Sequence, residues 1–140
     1  MTLALRLSRL SILRFAVIGG LGMPVDAGIL YLMINWAGIG PRDGRLVSWL
    51  CAASFTWLGN RYFTFRQRRA HGMKNILSEW LRFLGANAVG GAVNVGIYEA
   101  LVSFAPHPWN NPYLALVVGV LGGLAFNFTL SKKLVFKAPV

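Results

Sequence analysis

LRFAVIGGLGMPVDAGI, at positions 13–29, is written a second time as LRFLGANAVGGAVNVGI at positions 81–97. Leu13 falls on Leu81, Arg14 on Arg82, Phe15 on Phe83, Gly22 on Gly90, Val25 on Val93, Gly28 on Gly96 and Ile29 on Ile97, while Asp26 meets Asn94. A shared apolar composition does not by itself align an Arg-Phe pair, two glycines and an internal polar residue. A register of 71 residues then aligns the second half of each copy. Ser54-Phe55-Thr56 falls on Ala125-Phe126-Asn127, and Asn60-Arg61-Tyr62-Phe63-Thr64-Phe65 on Ser131-Lys132-Lys133-Leu134-Val135-Phe136. The spacing predicts a tandem duplication of one helical hairpin within a single domain over 1–140. Repeat one covers about 13–65, a basic loop about 66–80, and repeat two about 81–136.

With 56% hydrophobic residues, 13% charged residues and a mean hydropathy of +0.55, the chain is too apolar for an ordinary soluble domain. Stretches 13–36, 46–65, 81–104 and 113–130 are each close to the ~20 residues a helix needs to cross hydrocarbon. None has the period-two alternation of a barrel strand. The expected fold class is an all-α integral membrane protein with four transmembrane helices, built from two hairpin repeats of the same orientation. Such repeats are related by an axis along the membrane normal.

A net charge of +10 raises the question of nucleic acid, and the placement of the charge answers it. Arg6, Arg9, Arg14, Arg61, Arg66, Arg68, Arg69, Lys74, Arg82, Lys132, Lys133 and Lys137 fall at the two ends of the chain or in the central loop, leaving only Arg42 and Arg45 elsewhere. Cations strung along membrane borders orient helices, and no nucleic-acid motif accompanies them. The positive-inside rule places both termini and the central loop in the cytoplasm, that loop resting on anionic headgroups. Trp36, Trp49, Trp109 and Tyr113 are then expected in the outer aromatic belt and Trp80 in the inner one. The basic and apolar opening imitates a secretory signal, but its pairing with 81–104 makes it half of a repeat. Cys51 is a lone cysteine, read as a small packing residue, and His71 and His107 fall in opposite loops, so the sequence offers no disulfide and no metal site.

Three sets of side chains carry candidate chemistry. Ser48, Ala52, Thr56 and Asn60 recur every fourth position, as do Gly119, Gly123, Asn127 and Ser131 in the other repeat. Such stripes let helices approach closely in lipid, and the same seams would line a polar path between the halves. Asp26 and Glu99 are carboxylates inside spans; a charged Asp26 costs ~2.5–3.5 kcal/mol on insertion scales, so it is either functional or a hydrogen-bonded helix clasp. Asn87 and Asn94 share a face with Gly90, Gly91 and Tyr98, away from Glu99. Arg14 and Arg82 open the outgoing helices while Arg61 and Lys132 close the return helices, and repeat symmetry is expected to gather the four around one axis. Forked arginines suit phosphate oxygens, whereas ordinary border cations only snorkel and orient. No nucleophile sits beside a base and no glycine-rich phosphate loop opens a helix, so an enzyme is not expected.

These residues resemble a known family. Leu13-Arg14-Phe15 through Gly19-Gly20 and Val25-Asp26, then Ser54-Phe55 with 60–65, and finally Ala125-Phe126-Asn127-Phe128 with 131–136, look like the GtrA-like family of small four-helix bacterial membrane proteins. Thr56 stands where the second repeat has Asn127, and Met23-Pro24 where a small or polar pair is usual. The resemblance implies flipping of a sugar carried on a polyprenyl phosphate such as undecaprenyl phosphate, from the cytoplasmic to the outer face of the bacterial inner membrane, for cell-surface polysaccharide or glycoconjugate synthesis. On that expectation Arg14, Arg61, Arg82 and Lys132 take the lipid phosphate, and Asp26, Asn60, Asn87, Asn94, Glu99 and Asn127 form the sugar path, with no cofactor. Four short helices enclose little volume, which favours a homo-oligomer. Two alternatives stand beside it: a membrane anchor that recruits a glycosyltransferase without transporting, and a small multidrug exporter.

Overall fold

The computed structural model describes residues 3–136; Lys137 lies outside them, as do the side chains of Arg6, Arg9, Arg42 and Tyr113. The described residues form four α-helices: α1 (Leu3–Asn35), α2 (Pro41–Gly59), α3 (Met73–Phe104) and α4 (Pro112–Leu130). There is no strand among the described residues. Helix α1 packs antiparallel on α2, and α3 on α4; the two hairpins meet along α2–α3 and α1–α4. Prolines start both return helices, because a first-turn residue needs no N–H donor. Gly38, at φ +63°, turns the chain between α1 and α2, and Gly72, at φ +84°, sits just ahead of α3.

The interior holds polar side chains beside apolar ones, and large apolar side chains cover the outside. Ser48, Thr56, Asn60, Arg61, Glu79 and Ser131 are buried, while Leu13, Val17, Leu21, Tyr31, Val117 and Leu121 stand on the surface. In lipid, apolar side chains gain nothing by turning inward, so helices are held by close backbone approach and internal hydrogen bonds. Both stripes of small residues predicted from sequence lie in these interfaces. A Cβ on Gly22 would fall 2.6 Å from the Thr56 Cγ2, and one on Gly90 2.8 Å from the Asn127 Cβ. The mates of the 68- and 71-residue registers thus make the same contact.

The apolar core is a cluster of Phe15, Phe65, Phe83, Phe128 and Phe136 at the end of the bundle that carries most of the cations, termed the basic end. Phe15 meets Phe65 edge-on with centroids 6.2 Å apart and planes at 65°, and Phe83 meets Phe136 at the same separation and angle. Each return helix closes in a π-helical turn, Asn60–Thr64 and Ser131–Val135, ended by an N–H···O bond of 2.8 Å from Phe65 to Asn60 and from Phe136 to Ser131. Widening the last turn rotates each terminal phenylalanine into the core.

Two segments differ from the sequence expectation. Helices α1 and α3 begin well before positions 13 and 81, so much of the stretch expected as a basic loop is a 3-10 turn, Arg66–Arg68, and the first turns of α3. The early start of α3 is held by Glu79, 2% exposed, and by Trp80, whose indole N–H donates to the Ser54 Oγ across 3.0 Å. Arg45, just outside the stretch 46–65 expected to span, lies inside α2. Among the described residues, two helices are long and apolar enough, by length and composition, to cross a membrane: Leu10–Asn35 and Leu114–Val135.

Candidate functional site: a basic groove and a polar cleft

Two cavities organise the polar residues. The larger is an open groove of about 1470 Å³ between the α1 face and the closing segment of α2. At the basic end it is lined by Arg14, Arg66, Arg68 and Lys132; along its length run Leu10, Leu13, Val17 and Leu21 of α1 and Phe55 and Leu58 of α2. Leu10 to Leu21 covers roughly 16 Å at ~1.5 Å rise per residue. The groove therefore joins a cationic mouth to an apolar trough on the surface of the bundle.

The smaller cavity, about 180 Å³, is a cleft between the hairpins lined by Asp26, Thr56, Asn60, Asn87 and Asn127, with Gly19, Gly22 and Met23 on the α1 side and Trp49 on α2. Its polar groups are tied to one another. The Asn127 Nδ2 donates to the Asn87 Oδ1 at 3.0 Å, and the Asn127 Oδ1 accepts from the Ser131 hydroxyl at 3.4 Å. The Asn60 Nδ2 donates to the Thr56 carbonyl at 2.9 Å, and its Oδ1 accepts from Thr64 at 2.8 Å. Side chains bonded in this way keep polar surface in the interior without leaving donors unpaired.

Asp26 is half-buried and ion-paired: Arg45 Nη1 lies 2.5 Å from both carboxylate oxygens and also donates to the Ser48 Oγ at 3.2 Å. In the second hairpin Asn94 stands at the Asp26 position, and a Cβ built on Gly119 would lie 2.7 Å from its Oδ1. Asn94 is therefore packed against α4 and does not line the cleft. Glu99 is exposed near the far end of α3 and lines neither cavity.

The four border cations do not gather around one axis. Arg14 and Lys132 share the groove; the Arg14 Nη1 donates to the Phe63 carbonyl at 3.4 Å, and the Lys132 ammonium stands 5.8 Å from the Phe128 ring centroid. Arg61 is buried, with its Nη1 2.5 Å from the Glu79 Oε1 and its Nη2 2.6 Å from the Ala70 carbonyl. Glu79 also accepts from the Trp57 indole at 3.1 Å and from the Ala70 N–H at 2.6 Å. A guanidinium so enclosed holds the α2–α3 junction together and has little left for a ligand. Arg82 is exposed and lines neither cavity. Trp49, expected in an outer belt, instead faces the cleft, whereas Trp36 and Trp109 are exposed.

Glu79, Arg45, Arg66 and Arg68 are residues to which sequence reasoning gave no part in holding the lipid phosphate or the sugar. A signal existed for two of them. Glu79 stands two positions before the repeated Leu-Arg-Phe triplet, and Arg45 belongs to the sparse pair of cations away from the basic end, opposite an intramembrane carboxylate.

An apolar exterior, polar side chains buried between helices and small-residue seams define a small helical membrane protein. Residues 14–138 match the family described as GtrA/DPMS, transmembrane domain, and the chain belongs to that family. Membership points to a membrane role in glycoconjugate synthesis. Comparison with curated proteins gave no match.

Proposed function

We propose that this protein moves a sugar linked to a polyprenyl phosphate, such as undecaprenyl phosphate, from the cytoplasmic to the outer face of the bacterial inner membrane for cell-surface polysaccharide or glycoconjugate synthesis. The observation that carries the proposal is the groove, whose cationic mouth runs into an apolar trough. A lipid phosphate needs both at once: cations for its oxygens and a hydrocarbon-lined track for its tail. The adjoining cleft offers amide and carboxylate groups suited to sugar hydroxyls.

In this proposal all four helices span the membrane and the chain is a tandem repeat of one hairpin. The equal Phe15–Phe65 and Phe83–Phe136 geometries and the paired π-helical turns support the duplication. The 19 residues of α2 with the five of its π-helical turn approach the length of a span. The basic end faces the cytoplasm, with both termini. The protein binds and moves its lipid without making or breaking a covalent bond, works as a homo-oligomer, and receives its lipid from a glycosyltransferase. Purified protein reconstituted in liposomes should carry a labelled polyprenyl-phosphate sugar across the bilayer. Equal movement in protein-free liposomes would defeat the proposal.

A further inference from the structure

Both return helices end in the same arrangement of cation on aromatic ring. The Arg61 Cζ lies 5.7 Å from the Trp57 ring centroid, and the Lys132 Nζ lies 5.8 Å from that of Phe128. Trp57 and Phe128 are 71 residues apart, as are Arg61 and Lys132, so the two arrangements are mates in the repeat register. Their surroundings differ in one group. Beside Arg61 stands Glu79, whose carboxylate is held by the guanidinium, the Trp57 indole and the Ala70 N–H. In the 68-residue register that aligns Arg14 with Arg82, the mate of Glu79 is Ser11.

The seam between α4 and α1 therefore repeats the cation and the aromatic platform but carries a hydroxyl where the other seam carries a carboxylate. The chain has four acidic residues, and none is among the described residues that line the groove. Asp26 pairs with Arg45, Glu79 pairs with Arg61, and Asp43 and Glu99 are exposed. Ser11, Arg14 and Lys132 do line it, together with Arg66 and Arg68. Charge that is partly withdrawn from water gains most from an opposite charge at short range. In the α2–α3 seam the chain supplies that charge itself.

We infer that the α4–α1 seam is an oxyanion site, one per chain, in which a phosphate ester takes the place that the Glu79 carboxylate occupies in the pseudo-equivalent seam. The inference deepens the transport proposal and rests on it for the lipid nature of the ester. Lys132 and Arg14 are the phosphate-holding groups, while Arg61, already neutralised from within the chain, is a structural clasp. The two hairpins are thus unequal: one seam is closed by an internal anion, and the other opens into the groove and takes its anion from outside.

The test is to supply the missing carboxylate. Full-length protein in nanodiscs of zwitterionic lipid is titrated with farnesyl phosphate, inorganic phosphate and farnesol. Wild type should bind farnesyl phosphate, and Ser11→Glu should weaken that binding about tenfold or more, the scale of a lost hydrogen bond to a charged group. Lys74→Gln, which lowers the net charge equally at an exposed position, serves as the control and should bind as wild type does. Lys132→Met, which keeps the length of the side chain, should lose binding too and guards against misfolding of the glutamate variant. Inorganic phosphate binding as tightly as the ester would assign the site to free phosphate and still support the oxyanion site. Equal binding of farnesol, or undiminished binding of the ester by folded Ser11→Glu or by Lys132→Met, would overturn it. Wild type that binds the ester as expected but fails to move it in liposomes would sink the transport proposal and leave the site standing.

Discussion

Phe65 and Phe136, mates in the 71-residue register, stack on each other with ring centroids 4.6 Å apart and planes 17° from parallel. They are the terminal residues of the two repeats as read from sequence, and the stack is where the hairpins clasp at the basic end. Each is presented by a π-helical turn, so the turn and the ring form one device used twice.

Phe136 is fully buried and Phe65 is 5% exposed, and truncating either to alanine should cost about 2–3 kcal/mol of stability, chiefly for the cavity left behind. Because the rings touch, the double variant should cost less than the sum of the two single ones. Unfolding in mixed micelles, followed by tryptophan fluorescence, measures all three. Strict additivity would contradict a shared contact.

Gly90 and Gly91 are neighbours with opposite surroundings. A Cβ on Gly90 would sit 2.8 Å from the Asn127 Cβ and 3.1 Å from the Gly123 carbonyl oxygen, while one on Gly91 meets nothing within 4 Å. Gly90→Ala should force α3 and α4 apart and cost about 1–3 kcal/mol. Gly91→Ala should be tolerated. Thermal aggregation midpoints of the two purified variants in the same detergent provide the comparison, and equal loss in both would refute the tight α3–α4 seam.

The Arg61–Glu79 pair is 6% and 2% exposed. Glu79→Gln leaves a buried guanidinium without its counter-charge and should destabilise the protein by about 3–5 kcal/mol. Replacing both partners with methionine should recover much of that loss, since burying two apolar groups avoids desolvating two charges. A double-mutant cycle on unfolding gives the coupling directly.

Asp26 separates transport from anchoring. Its carboxylate lines the cleft and holds Arg45. If a sugar passes there, Asp26→Asn should slow translocation in liposomes by about tenfold or more, equivalent to ~1.4 kcal/mol on the barrier. For an anchor, the substitution should be silent and charge reversal of Arg66, Arg68 and Arg69 should abolish capture of the glycosyltransferase. The initial rate of lipid movement is the readout for the first outcome, and co-purification for the second.

The amino-acid sequence by itself determined the helical class, the membrane setting and the two-register alignment, because these depend on local properties: apolar run length, glycine spacing and recurring motifs. It also placed the small-residue seams, since a stripe at every fourth position has one face whatever the helix packs on. Only the tertiary structure decided which polar groups meet. Asp26 and Asn94 occupy matching positions, yet one pairs with Arg45 across a helix interface and the other is packed against Gly119. Arg61 and Lys132 likewise match, yet Glu79 encloses the first while the second lines an open groove. The difference in each case lies on the neighbouring helix. Whether a charge is neutralised within the chain or left for a ligand depends on a short-range contact between residues far apart in sequence, and that contact exists only once the hairpins have packed.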